Sequence, residues 1–256
     1  MRLAICMSGQ MRCYKDCRRS LIRHILDKNN CDLFISTWDG IGWDYSIDPS
    51  DPEHYVYSTE SYNLIKSEDL LEAYHPYIRM VKVDNLEAFN EQYVNKKPLT
   101  RIERNMYGMY YKIKDCFELM KQYEEAISKQ KGEPFQYDYI IRVRPDLCIL
   151  RDFTLRPCHW DHRDTHYAMS YGYQYNGMND QFGLAKRSIM EKAFSLWDRL
   201  EEYMSRGYNV NGWAEILLKT HFEEMGIPHQ TEGYPSNSIF FFMARMHHPL
   251  EPDARW

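Results

Sequence analysis

Short apolar runs separated by helix-forming segments constrain the fold of this chain more than any other feature of its sequence. The run from Leu3 to Met7 has no helical period and predicts a buried strand. A second such run extends from Cys31 to Thr37. Between them, Leu21, Ile22, Ile25 and Leu26 fall on one face of a helix. This strand–helix–strand unit predicts neighbouring parallel strands.

The same alternation continues along the chain. We expect helices near 64–74, 101–125, 189–200 and 213–225, and strands near 78–83, 137–146 and 239–243. The stretch from Trp38 to Tyr62 shows no period and is expected to be a long loop. The pattern predicts an α/β fold with a Rossmann-type, mostly parallel sheet flanked by helices, formed by residues 1–256 as a single domain.

Charge, hydropathy and cysteine usage exclude several classes of protein. The net charge of -5 gives the chain no general electrostatic reason to bind nucleic acid. No stretch approaches the roughly 18 apolar residues of a membrane span. The seven cysteines form no C-x-x-C pair, which argues against a zinc ribbon. The apolar run at the N-terminus is too short for a signal peptide, and together with the lack of a membrane span it predicts a reducing, cytoplasmic setting. Cys13 and Cys17 can share a helix face, but this spacing alone establishes neither a metal site nor a disulfide.

The first predicted strand ends in a segment suited to a phosphate. Its candidate binding residues are Ser8, Gly9, Gln10 and Arg12. A glycine allows close approach of a ligand, a following helix start offers free N–H groups, and Arg12 adds a bidentate cation. An ordinary turn with a surface arginine explains the same residues. The segment matches neither G-x-G-x-x-G nor a P-loop.

The second predicted strand ends in Thr37, Trp38 and Asp39. A tryptophan and an aspartate that leave a buried strand can stack on a base and hydrogen bond to a ribose. They can equally cap the core and begin a turn.

Two arginines interrupt the apolar pattern of the predicted strand at 137–146. Strand alternation places Arg142, Arg144 and Asp146 on one side. Buried arginines are costly unless they are paired or bound to an anion, so this segment predicts an anion site. Asp146 can neutralise one arginine or bind a divalent metal that bridges a diphosphate. A purely structural salt-bridge network is the alternative.

Two later carboxylates are candidates for acid–base chemistry. Asp180 lies in Asn179-Asp180-Gln181-Phe182-Gly183, and the sequence allows it to be a general base or the N-terminal cap of a helical segment. Glu215 lies early in a predicted helix, as an exposed residue or as a ligand to acceptor hydroxyls.

These segments, taken in order, carry a family resemblance. The series S-G-Q-x-R, D-L-F-I-S-T-W-D, Y-D-Y-I-I-R-V-R-P-D-L and N-D-Q-F-G resembles glycosyltransferases of polysaccharide gene clusters and large viruses. Their layout is similar to the GT-A fold, which binds a nucleotide sugar. The resemblance implies that Ser8, Gly9, Gln10 and Arg12 contact the nucleotide and that Asp180 lies near the acceptor.

In GT-A enzymes an aspartate motif at the end of a central strand binds a metal and the donor diphosphate. The resemblance puts Asp146 in that place as a ligand for Mn²⁺ or Mg²⁺. The usual D-x-D motif is absent, because Arg144 occupies the other position. Arg144 can therefore substitute for the metal by neutralising the diphosphate directly.

The expected reaction is transfer of a sugar from a nucleoside diphosphate sugar to a hydroxyl acceptor, such as a glycan. Residues 1–150 would bind the nucleotide sugar and residues 151–256 the acceptor. Arg12, Arg142 or Arg144 would stabilise the leaving diphosphate, and Asp180 would be the base of an inverting mechanism. Two alternatives remain: a nucleotidyltransferase, and an inactive sugar- or nucleotide-binding protein of a glycan-assembly complex.

Overall fold

A computed structural model describes residues 1–40, 44–48, 51–58, 64–155, 166–168, 177–208, 214–230 and 241–243. Within these ranges the chain forms a seven-stranded sheet with helices on both faces. The strands of this sheet are β1 (Leu3–Ser8), β2 (Cys31–Trp38), β5 (Ile78–Asp84), β6 (Tyr139–Val143), β8 (His166–Ala168), β9 (Phe182–Lys186) and β10 (His229–Gln230).

The sheet is mostly parallel, in the order β10-β8-β9-β6-β1-β2-β5. Strand β1 pairs in parallel with β2 on one side and with β6 on the other, and β2 pairs in parallel with β5. Strand β9 is antiparallel to both of its neighbours, β6 and β8. This arrangement confirms the predicted α/β class and is compatible with a Rossmann-like fold.

Two smaller pairs of strands lie outside this sheet. Strands β3 (Asp44–Asp48) and β4 (Asp51–Ser58) are antiparallel, which corrects the prediction of a loop from Trp38 to Tyr62. Strand β7 (Leu147–Ile149) follows β6 almost directly and pairs with β11 (Phe241–Met243).

The helices flank the sheet. Helix α4 is capped at its N-terminus by Thr100, whose side chain forms a capping box with Glu103, and at its C-terminus by Gly132 with φ of 69°. None of the described helices has both the length and the apolar character that are needed to cross a bilayer. The helices are α1 (Tyr14–Leu21, with a π-helical turn over Ile22–Leu26), α2 (Ser67–Tyr74), α3 (Leu86–Phe89, with a π-helical turn over Asn90–Val94), α4 (Arg101–Lys131), α5 (Arg187–Phe194), α6 (Leu196–Ser205) and α7 (Ala214–Glu224).

The core lies on both faces of the sheet, because all six residues of β1 are buried. One face packs against α4, α5, α6 and α7, and the other packs against α1 and α2. The Met and aromatic stripe of α4, which includes Met106, Tyr110 and Phe117, is buried against the first of these faces. Each such side chain stabilises the fold by about 1.5–3 kcal/mol relative to exposure.

The structure also corrects two predictions near the carboxyl half. The helix predicted at 189–200 is divided at Ser195 into α5 and α6. Asp180 precedes strand β9, so it is not the cap of a helical segment. Helix α3, which the sequence did not indicate, follows β5 directly.

Candidate functional site

The candidate site lies at the edge of the sheet where β1, β2 and β6 end. Because β9 runs in the opposite direction, its first residues lie at this same edge. The backbone N–H of Arg144 donates to the carbonyl of Gln181 at 3.0 Å, so the segment before β9 lies beside the segment after β6. This edge is where parallel α/β sheets bind their ligands.

Gly9 shapes the turn after β1. Its φ of 118° lies in a region that side-chain-bearing residues rarely adopt. Its N–H donates to the Ser36 carbonyl at 3.2 Å, and its own carbonyl accepts from the Thr37 hydroxyl at 2.7 Å. Ser8 is 2% exposed. Gly9 and Thr37 thus fix the backbone from which Gln10 and Arg12 extend.

Two arginines share the carboxylate of Asp146, which is 1% exposed. Arg144 donates to both carboxylate oxygens, from Nε at 3.0 Å and from Nη2 at 2.8 Å. The Nη1 of Arg12 lies 3.3 Å from one of these oxygens, and its Nη2 donates to Gln10 at 3.0 Å. The Arg12 and Arg144 side chains remain 17% and 14% exposed. The structure therefore brings together four residues that the sequence singled out in two separate segments.

Arg142 is buried in a different way. Its side-chain nitrogens have no hydrogen-bond partner within the described ranges, and the residue is only 5% exposed. Burial lowers its pKa to about 10, against the opposing effect of Asp180. It lines a cavity of about 20 Å³ with Tyr110 and Asp180, and this volume exceeds that of a single water site only slightly. Arg142 thus keeps its charge at neutral pH inside a mostly apolar environment.

Two carboxylates complete the cluster. Asp180 is 6% exposed, and one of its oxygens lies 4.0 Å from Nη1 of Arg144. Glu215 occupies the first turn of α7, where burial and then Asp180 raise its pKa to about 7, while Arg144 acts in the opposite direction. The sequence did not decide whether Glu215 is an exposed helix residue or a ligand to acceptor hydroxyls, since its position early in a helix does not reveal its partial burial.

The backbone holds Glu215 close to the segment before β9. The N–H of Met178 donates to the Glu215 carbonyl at 2.8 Å, and the Tyr110 hydroxyl donates to the Ala214 carbonyl at 2.6 Å. A Cβ at Gly177 would lie 2.3 Å from the backbone carbon of Glu215. Only a glycine allows this approach of the two segments.

Residues 54–248, more than half of the chain, match the family described as a domain of unknown function, DUF7796. The chain belongs to the DUF7796 family. No curated protein matches the sequence. The matched range of DUF7796 contains Arg142, Arg144, Asp146, Asp180 and Glu215, whereas the loop with Gly9 and Arg12 precedes it.

Two predicted ligand contacts of this DUF7796 member have other roles in the structure. Trp38 is 2% exposed, stacks on Tyr111 with ring centroids 5.8 Å apart, and carries the Lys112 ammonium 4.3 Å from its own centroid. Its ring is a core element, so it offers no surface for stacking a base. Asp39 accepts from the backbone N–H of Leu86 at 3.1 Å and from the side chain of Asn85 at 2.6 Å. It holds the start of α3.

Asp146 does not fit the predicted metal site. Both of its oxygens are bound by guanidinium groups, which compete with a cation for the same lone pairs. Among the residues that the structure describes, no group of three His, Cys, Asp or Glu side chains could hold a metal ion. The pair His247-His248, Cys158 and residues 169–176 of the tyrosine-rich stretch lie outside the described ranges.

The arrangement combines three arginines with three carboxylates. Because Glu215 has a pKa of about 7, it is partly protonated at neutral pH and the cluster then has an excess of positive charge. Such a cluster can bind an anion at the partly exposed arginines and can exchange a proton at Glu215.

Proposed function

We propose that this protein is a glycosyltransferase that moves a sugar from a nucleoside diphosphate sugar to a hydroxyl acceptor, such as a glycan. The observation that carries the proposal is the convergence of Arg12, Arg142 and Arg144 at the ligand-binding edge of the sheet. Buried arginines are costly unless they are paired or bound to an anion, and the side-chain nitrogens of Arg142 have no hydrogen-bond partner within the described ranges. The GT-A-like variant of the Rossmann-type sheet is part of the same proposal.

The arginines suit the leaving diphosphate. Negative charge develops on this group as the bond to the sugar breaks, and fixed cations in a site of low dielectric stabilise it strongly. Arg12 and Arg144 are partly exposed and can reach phosphate oxygens. Arg142 is buried, so its positive charge would stabilise the diphosphate without direct contact. A charge-assisted hydrogen bond of this kind contributes about 1.5–3 kcal/mol.

The reaction proposed here does not pass through a metal. In this role Arg144 replaces the metal charge, and Asp146 positions Arg12 and Arg144 rather than binding a cation. The thiols that the structure describes are free, which agrees with the cytoplasmic setting included in this proposal.

Glu215 is the proposed general base toward the acceptor hydroxyl. Its pKa of about 7 matches the operating pH of a general base. Asp180, which the sequence favoured for this role, is the second candidate. It is more deeply buried, and it faces Arg142 and Arg144. In the proposed site Asp180 keeps the pKa of Glu215 high and balances the charge of Arg142.

The proposal is tested by thermal shift with UDP, GDP, CMP and dTDP, each in EDTA and with Mn²⁺ or Mg²⁺. A ligand that binds only the folded state must raise the apparent stability by mass action. We expect one nucleotide to shift the melting temperature in EDTA, and Arg144→Ala to weaken its binding by about 10- to 100-fold.

The matched control is Arg79→Ala. Arg79 also pairs with an aspartate, since its Nε lies 2.5 Å from Asp32, but it lies at the start of β5 on the opposite edge. Nucleotide affinity should be unchanged in this variant. The proposal fails if no nucleotide shifts the melt, or if Arg79→Ala and Arg144→Ala weaken binding equally. If a nucleotide binds but no nucleotide sugar is hydrolysed or transferred, the protein is better explained as the inactive sugar- or nucleotide-binding protein.

A further inference from the structure

Helix α1 and strand β7 bring two cysteines from distant parts of the sequence together. Cys17 lies in α1, which packs directly on β7, where Cys148 is the central residue. The Ser20 hydroxyl accepts from the backbone N–H of Ile149 at 2.9 Å and fixes the position of the helix on the strand. Cys17 lies one helical turn before Ser20 and Cys148 lies directly before Ile149, so this contact brings the two side chains to neighbouring positions, and each thiol is the group that most strongly affects the pKa of the other.

The pair lies close to the anion-binding cluster. Cys17 follows Arg12 by five residues, and Cys148 follows Asp146 by two. Cys17 is 1% exposed and Cys148 is 6% exposed, while Cys13, one helical turn before Cys17, is partly exposed. The two thiols are therefore adjacent and shielded from large reagents.

We propose that Cys17 and Cys148 form a reversible disulfide and are the peroxide-sensitive modification site of this protein. A disulfide requires that the two sulfur atoms approach to about 2.05 Å. Because α1 and β7 are already packed together, this approach needs only a local adjustment.

The chemistry balances with hydrogen peroxide as the oxidant. One thiolate attacks a peroxide oxygen, the O–O bond breaks, and a sulfenic acid and hydroxide are formed. The second thiol then attacks the sulfenic sulfur, the S–O bond breaks, and water leaves as the disulfide forms. Two thiols and one peroxide thus give one disulfide and two waters. The neighbouring Cys17 lowers the pKa of the Cys148 thiol, which makes Cys148 the better initial nucleophile.

The disulfide would connect the segment that follows Arg12 to the segment that follows Asp146. It would restrain the distance between these two side chains, which now form the 3.3 Å contact of the cluster. A change in nucleotide affinity on oxidation is a second consequence, and that consequence alone rests on the proposed function.

The test is peptide mapping of the reduced full-length chain after brief treatment with hydrogen peroxide and blocking of free thiols. Trypsin separates Cys13 from Cys17, because it cuts after Lys15, and it releases Cys148 in the peptide 143–151. We expect a linked pair of the peptides 16–18 and 143–151 that dithiothreitol separates again. Cys17→Ser should abolish it.

Cys31→Ser is the matched control, since Cys31 is also a buried thiol but donates to the Leu26 carbonyl instead of to a thiol. This variant should form the linked pair as the wild type does. The proposal is overturned if peroxide oxidises Cys13 while Cys17 and Cys148 stay reduced, or if the disulfide found joins Cys13 to Cys17. Neither outcome depends on nucleotide binding.

Discussion

Replacement of Gly177 by alanine tests how the two halves of the site are held together. The new Cβ would lie 2.3 Å from the backbone carbon of Glu215 and 2.6 Å from its Cβ. Because backbone atoms obstruct it, no rotation of a side chain relieves the contact. The first turn of α7 must move away, and the hydrogen bond from Met178 to Glu215 is then stretched or lost.

The size of the effect follows from these two terms. Overpacking of a well-packed site costs about 1–3 kcal/mol, and loss of a hydrogen bond costs about 1 kcal/mol. We therefore expect Gly177→Ala to lower the free energy of unfolding by about 2–4 kcal/mol, measured by urea denaturation and circular dichroism at pH 7. The proposed transferase activity should fall as well, since Glu215, its proposed general base, leaves its position.

Gly108→Ala is the matched control. A Cβ at Gly108, inside α4, would lie 3.7 Å from the ring of Trp38, which is ordinary van der Waals contact. Alanine is favoured over glycine in a helix by about 1 kcal/mol, so this variant should be more stable than the wild type. A free energy of unfolding of Gly177→Ala within about 0.5 kcal/mol of the wild type, the range of an ordinary surface substitution, would show that Gly177 is not required here.

Three further predictions concern buried charges. Glu215→Gln should raise the free energy of unfolding by roughly 1–2 kcal/mol at pH 8 and by less at pH 5.5. The reason is that folding raises the pKa of Glu215 from about 4.3 to about 7, so the wild-type protein loses stability as the pH rises between these values. Equal gains at both pH values would contradict this. Arg187→Ala should cost about 3–5 kcal/mol in urea denaturation, since it leaves the Glu124 carboxylate buried without its guanidinium, whereas the half-exposed Arg199→Ala should cost under about 1 kcal/mol. Burial lowers the pKa of His221, so the unfolded chain binds more protons and stability should fall as the pH drops through about 6.5. The urea midpoint of His221→Gln should depend less on pH between 7 and 5 than that of the wild type. If the midpoints of the two proteins fall in parallel, His221 is not the cause of the loss of stability.

The sequence predicted the parallel centre of the fold well. Strands β1, β2 and β6 are buried on both faces, so their apolar runs are continuous and easy to identify. Strand β9 was missed because its five residues include a glycine and a lysine, and its place between two other strands depends on pairing that only the folded sheet provides.

The candidate site was predicted unevenly. The pattern of Arg144 and Asp146 correctly indicated a charged cluster, because charges in an apolar run need partners. Trp38 was misjudged, since a tryptophan at a strand end can face the core or a ligand and only tertiary packing decides between them. The partial burial of Glu215 could not be read from α7, because the segment that packs against it, at Gly177 and Met178, is far away in the sequence.

The position of β9 has a consequence for attempts to divide the chain. Strand β9 covers one side of β6, so a fragment of residues 1–150 would leave the N–H and C=O groups of β6 unpaired along an apolar edge. Exposed edges of this kind recruit strands from other molecules. Expressed alone, the amino-terminal portion should therefore self-associate, and a complementary fragment that carries β9 should suppress this by supplying the missing strand.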